Sequence, residues 1–386
     1  MSTPSDAVGA VDLLLARAEA APGRALFSVH GDGGPRRVTA AEFLAQVRWL
    51  ARGLVAAGLG PGERVAVLSP ATFEAHLAGT AVWYAGGVTV PIDASEAPAH
   101  VEAILAESGA TRVFAARELA GSLSAMLGAS AVLGDRLIPV TLLAVEGDGG
   151  TLTSLAGPGQ GVSDAELERH RAAVHRDSPA VILARPESWA GDPPPLASPQ
   201  MTVTHGALAR LAAPLVSVLA ARTAEPRAVV ALPLSHPHAS AAGVACLAAG
   251  ASLAVPGDAA LPAADPTFVL GSPRLFEELF EGAARSGGPR RRGRFARAAA
   301  IARAHSEADD GGASPGGGPR GRLRLAHAMW ERLAYRRLRE SMIGASLETA
   351  AYSGGTLDPD LAHFFRGIGV PIVGIESIVD DGALGS

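Results

Sequence analysis

Apolar residues along the chain follow two alternating rhythms. Short unbroken runs such as "RALFSVHG", "RVAVLS", "VTVPI" and "TRVFAA" read as strands buried on both faces. Between them the period is helical: "TAAEFLAQVRWLARGLVAAGLG" brings Phe43, Val47, Leu50 and Leu54 onto one side. Thr39 and Glu42 are spaced as a capping box at its start, and Gly58 suits its end. "TFEAHLAGTAVWYAG" and "APAHVEAILAESG" are the next two helices. Such alternation implies a mostly parallel sheet covered on both faces.

The stretch "VEGDGGTLTSLAGPGQGVSD" is rich in glycine, serine and aspartate and reads as a connection. It divides the chain into a first α/β subdomain over residues 1–160 and a second over 161–386. After "SDAELERHRAAVHRDS" the second series runs "AVIL", "MTVT", a helix from about His205, "AVVALPL", another helix, "ASLAVPG", "TFVLGS" and "PRLFEELFEGAARSG". Residues 286–322 are rich in glycine and arginine, with one helical piece, "GRFARAAAIARAHSEA". A helix over "RLRLAHAMWERLAYRRLRESM", a strand in "LETAAYSGG" and a helix in "DPDLAHFFRGIG" follow, the last with Asp358 as N-cap and Pro359 in its first turn. "VPIVGI" is the last strand, and no internal repeat is found.

With 386 residues, 48% of them hydrophobic and 18% charged, the chain falls in the globular class. A formal charge of −5 argues against nucleic acid as the main partner. All 33 basic residues are arginine, and neither lysine nor asparagine occurs. Cys246 stands alone in an apolar run, which reads as a buried thiol and suits a reducing compartment. No signal-peptide pattern opens the chain, and no apolar run approaches the roughly 20 residues of a membrane span. A cytoplasmic location is the expectation.

Four segments, read in order, carry a family resemblance. They are "VAVLSPATFEAHLAGTAVWYAGGVTVPIDASEAPAHVEAILAESGA", "ALPLSHPHASAAG", "PTFVLGSPRLFEELFEGA" and "YSGGTLDPDLAHFFRGIGVPIV". Together they resemble the N-terminal domain of adenylate-forming acyl-CoA synthetases, in the style of the bacterial long-chain fatty acid branch. The resemblance implies a large N-terminal domain of two α/β subdomains with mostly parallel sheets. It also implies a reaction in which ATP, with Mg, activates a fatty acid as an acyl-adenylate that CoA then captures as a thioester. By the same resemblance His236 stands at the acyl pocket. Ser353, Gly354, Gly355 and Thr356 form a turn facing the nucleotide, and Asp380 stands in for a metal-associated carboxylate.

The chain also departs from that pattern. Between "AVILA" and "VTHGAL" the family places a Thr/Ser/Gly-rich loop with a lysine, whose amides and hydroxyls cradle phosphates. Here the flanks are kept, but the loop is about six residues longer and holds Pro193, Pro194 and Pro195. Proline offers no amide donor, and Glu187 and Asp192 would repel phosphate. Glu376 replaces the adenine-stacking tyrosine in "GIESIVDDGALGS", and the small C-terminal domain with its catalytic lysine is expected to be absent. Arginine substitutes poorly for lysine where geometry matters.

Other constellations are weaker. His236 has a second reading, a strand-end histidine held by the backbone. His236 with His238 lacks the further ligands of a metal site, and no Gly-x-Ser-x-Gly elbow supports a hydrolase through Ser235. The glycines of "GLGPGER" follow a helix rather than a strand, which makes them a helix stop. "PRRRGRFARAAAIARA" is either a solvated helix face or a surface for an anionic partner or headgroup. The expected protein is a degenerate ligase without adenylating activity, its cofactors not retained. The alternative is a non-catalytic module that binds a fatty acid or acyl group, or docks on another ligase polypeptide.

Overall fold

The computed structural model of the protein describes residues 9–31, 34–133, 138–144, 150–184, 200–220, 225–255, 261–286, 288–310, 319 and 321–375. In chain order the first elements are α1 (Ala10–Ala20), β1 (Ala25–Gly31), β2 (Gly34–Thr39), α2 (Ala40–Ala56), β3 (Arg64–Leu68), α3 (Phe73–Tyr84) and β4 (Val88–Ile92). They are followed by α4 (Pro98–Ser108), β5 (Arg112–Ala115), α5 (Ala120–Ala129), β6 (Val140–Leu142), α6 (Leu152–Ala156), α7 (Asp164–Ala172), β7 (Pro179–Leu183) and β8 (Met201–Thr204). Next come α8 (His205–Ala220), β9 (Arg227–Ala231), α9 (Pro237–Ala249), β10 (Ser252–Val255), α10 (Leu261–Ala264), β11 (Phe268–Gly271) and α11 (Pro273–Arg285). The rest are α12 (Pro289–Asp310), α13 (Gly321–Trp330), a π-helical turn (Glu331–Tyr335), α14 (Arg336–Met342), β12 (Thr349–Tyr352), α15 (Pro359–Gly367) and β13 (Ile372–Gly374).

The chain forms two compact units. The first comprises the described residues of Met1–Phe27, Arg37–Val216 and Pro233–Gly250; the second, those of Ser28–Arg36, Ser217–Leu232 and Ala251–Ser386. These limits differ from a single division at residue 160. Residues 150–164, read from sequence as a connection, pack into the first unit instead. A glycine on α2 permits it: a Cβ on Gly53 would lie 2.5 Å from the Leu155 carbonyl oxygen and 2.6 Å from the Ala156 Cα.

The first unit is built on a six-stranded sheet ordered β6-β5-β3-β4-β7-β8. β3 pairs in parallel with β4 and β5, β4 with β7, and β5 with β6. β8 departs from the sequence expectation by running antiparallel to β7, with Leu183 opposite Met201. Ala66, Val90, Leu105 and Ala110 are fully buried at one of its cores. α2 starts as the sequence predicts: Thr39 Oγ1 accepts the Glu42 N–H at 3.2 Å, and Glu42 Oε2 accepts the Thr39 N–H at 2.8 Å.

The second unit carries a seven-stranded sheet ordered β13-β12-β11-β9-β10-β1-β2. β10 pairs in parallel with β9, β9 with β11, β11 with β12 and β12 with β13. Its core joins Val269, Ala350, Phe276, Phe364, Phe365 and Tyr335, all fully buried. Phe276 and Phe365 meet edge to face at 5.4 Å between centroids, a favoured aromatic geometry. Asp358 caps α15 as expected, accepting the Asp360 N–H at 2.9 Å.

Candidate functional site

His236 is the N-cap of α9, because the short turn after β9 brings its Nδ1 within 3.2 Å of the His238 N–H, from which it accepts. Proline at the first helical position supplies no competing donor there. The imidazole is 6% exposed. Burial and the neighbouring His238, 5.5 Å away between ring centroids, push it down to about 4, so it is neutral at ordinary pH. Beside it the Ser235 hydroxyl is buried without a hydrogen-bond partner. An uncharged imidazole and an unused hydroxyl can each hydrogen-bond a further polar group.

Ser353, Gly354, Gly355 and Thr356 lie in the second unit, at the end of β12. Ser353 is 1% exposed, and its N–H donates to the Gly271 carbonyl of β11 at 3.1 Å. Gly354 and Gly355 take φ of 84° and 151°, a region that a residue with a Cβ seldom enters. Thr356 is exposed. The turn is therefore a glycine-dependent link between β12 and α15.

The remaining sequence-derived candidates lie outside the described residues. These are Asp380, Glu376 and the whole segment 185–199 with Glu187, Asp192 and Pro193–Pro195. Among the described residues no cluster of three or more His, Cys, Asp or Glu could hold a metal ion. A triphosphate held in the family manner needs a lysine, and the sequence has none. Cys246 is buried as the sequence suggests, and burial pushes its thiol up to about 12.

One polar site went unread in the sequence. His205 marks only a helix start there, yet it is 2% exposed and neither ring nitrogen has a partner. It lines a cavity of about 210 Å³ with Gly9, Asp12, Trp83, Arg171 and His175. Burial pushes the imidazole down to about 4. Nearby, Arg171 donates to Asp12 at 2.9 Å and to Glu168 at 2.7 Å, and the Tyr84 hydroxyl donates to Glu168 at 2.5 Å. The charges there are already mutually satisfied, so the cavity's unmet demand is a neutral one.

Two mostly parallel sheets with helices on their faces, and the ordered motifs they carry, define an adenylate-forming type of α/β scaffold. Residues 14–183 match the family of AMP-binding enzymes. It is similar to the long-chain-fatty-acid–CoA ligase FadD15 of Mycobacterium bovis, with 32% identity over 357 residues, 88% of this chain and 55% of that protein. The chain thus spans about half the length of the curated relatives it matches.

Among solved structures it resembles the N-terminal domain of FACL13 from Mycobacterium tuberculosis, with TM-score 0.64, 16% identity and coverage of 95% of this chain and 75% of that one. It also resembles the long-chain-fatty-acid–CoA ligase FadD1 of Archaeoglobus fulgidus, with TM-score 0.65, 16% identity and coverage of 95% and 61%. At such identities the likeness concerns the fold.

Proposed function

We propose that this chain is a fatty acyl-CoA ligase-type scaffold that does not adenylate by itself. One observation carries the reading: the segment between β7 and β8 reads "RPESWAGDPPPLASP", in a chain without a single lysine. Five prolines deprive it of main-chain donors in the run where phosphates would be gripped, and two acids add repulsion. Loss of one preorganised donor to developing charge costs about 100- to 1,000-fold in turnover. Loss of a whole cradle removes adenylation from the measurable range. The test is pyrophosphate release from purified chain with ATP, magnesium and a panel of fatty acids. Release above the enzyme-free control overturns the reading.

A second reading is favoured by the buried Ser235 hydroxyl beside neutral His236. Here the chain binds a fatty acid or acyl group through that polar pair and performs no chemistry. A thermal shift with fatty acid and none with ATP supports it; no shift with either removes it. An active ligase polypeptide as partner is the related proposal, checked by co-purification. Among the described residues no helix is long and apolar enough to cross a membrane; a cytoplasmic location is part of the proposal, checked by fractionation.

A further inference from the structure

The helical run from α13 through the π turn to α14 has an inner face the fold uses and an outer face it does not. Inward, Tyr335 is fully buried and its hydroxyl donates to the Ala298 carbonyl of α12 at 2.8 Å, while Trp330 and Leu338 pack on the core. Outward, Leu325, Met329 and Leu333 are 73%, 49% and 62% exposed. They recur every four residues. On an α-helix each such step drifts by about 40°. The wider π turn at Glu331–Tyr335 reduces that drift and keeps Leu333 near the line of the other two. Three large apolar side chains thus form a solvent-facing stripe in a chain whose large apolar residues are mostly buried.

Charge frames the stripe. Residues 321–342 hold six arginines against two glutamates, although the whole chain is net −5. Arg322, Arg324, Arg332, Arg336 and Arg337 are exposed. Both glutamates are paired, Glu331 with Arg339 and Glu340 with Arg336, each at 2.8 Å. The adjoining α12, packed on α13 in the same unit, exposes Arg290, Arg291, Arg294 and Arg297. No carboxylate occurs anywhere between Glu281 and Glu307.

From this juxtaposition we infer that the α13–α14 face docks on an anionic lipid bilayer, lying in its interface rather than crossing it. The complementarity is layered. A bilayer presents phosphate directly above acyl chain, so a helix lying flat can insert leucine and methionine while flanking guanidiniums grip the phosphates. An acidic protein surface matches the charges and leaves the apolar stripe without a partner. Charge alone points to α12, but of these two helical faces it is the α13–α14 one that joins arginines to large exposed apolar side chains. The inference is independent of whether the chain adenylates.

Vesicle co-sedimentation tests it, using full chain with phosphatidylcholine vesicles and with vesicles containing phosphatidylglycerol. The expected result is pelleting with the anionic vesicles only, weakened by salt. A Leu325→Glu, Leu333→Glu double variant is expected to lose at least about tenfold in partitioning while keeping its circular dichroism and Tm, since both side chains are already in water. Wild-type chain that ignores anionic vesicles, or a double variant that pellets equally well, overturns the inference. So does a wild-type dimer in velocity sedimentation that the double variant alone converts to monomer, because a second copy then covers the stripe.

Discussion

Asp265 and Ser346 are joined twice: the Ser346 N–H donates to Oδ1 at 2.9 Å, and its hydroxyl donates to Oδ2 at 2.6 Å. The Ala345 N–H adds a third bond at 2.9 Å, and Arg227 a fourth at 3.1 Å. Asp265 sits at φ 42°, a left-handed conformation that aspartate and asparagine tolerate better than most residues. One side chain thereby fixes the approach to β11 and the loop before β12. Burial alone pushes this carboxyl up, but the bonds from Ser346 with the Arg227 charge outweigh it and hold the group below its usual value.

Asp265→Asn keeps the shape and the backbone preference while removing the charge. With the side chain 43% exposed and its charge screened by solvent, a loss of about 0.5–1 kcal/mol in the stability of the second unit is expected. Because the folded carboxyl is depressed, its contribution is present above the ordinary value near 4 and declines as pH falls below it. Denaturant melts of wild type and variant are expected to converge toward acid pH. A constant gap down to pH 3 refutes this role.

In the first unit, His76, His205 and His236 are all pushed down to about 4 by burial. Unfolded, each takes a proton near 6.5; folded, each stays neutral until about 4. The unfolded chain therefore binds more protons across that window, and stability falls as pH drops through it. Each of these rings contributes about 2 kcal/mol of this loss by pH 5. His205→Phe is expected to remove one share, visible as a shallower decline of Tm between pH 7 and pH 5. An unchanged decline counts against a buried neutral His205.

His236 has two roles to separate, cap and ligand. His236→Asn preserves a good N-cap while deleting the ring, so Tm should stay within the equivalent of about 1 kcal/mol. If His236 reaches a bound acyl group, fatty acid affinity drops about tenfold, which is one hydrogen bond's worth. Unchanged affinity leaves it a cap.

Gly367 of α15 crosses α12 so closely that a Cβ would overlap the Ala302 carbonyl and Cα. Gly367→Ala is expected to cost about 3 kcal/mol through overpacking between two helices. Gly282 of α11 is the contrast, with open space where its Cβ would lie. Gly282→Ala should stabilise by about 0.5–1 kcal/mol from helix propensity. Urea melts of the two variants are expected to move in opposite directions.

Much of this scaffold could be read from residue order. Thr39 with Glu42 and Asp358 with Pro359 mark their helix starts by side-chain chemistry that acts locally, and both form as the spacing predicts. β2 was not legible, because "GPRRVT" is largely exposed and lacks an apolar alternation. Residues 150–164 look like a tether by composition, yet glycine also permits helix contact, and only the three-dimensional position of Gly53 decides between the two. The helix over residues 322–342 was foreseen without its π turn, which a pattern matched to 3.6 residues does not register. His236 was found from its motif. His205 was not, since burial of an isolated imidazole leaves no trace in sequence.

The antiparallel pairing of β7 with β8 has an evolutionary corollary. Among the described residues its ladder runs from Pro179 opposite Thr204 to Leu183 opposite Met201, on either side of residues 185–199. Whatever is written between those posts can drift, lengthen or fill with proline while the sheet edge stays zipped. Such a seam lets the connecting segment be exchanged at little cost to the paired edge, and lets a new specificity be grafted in at the same place.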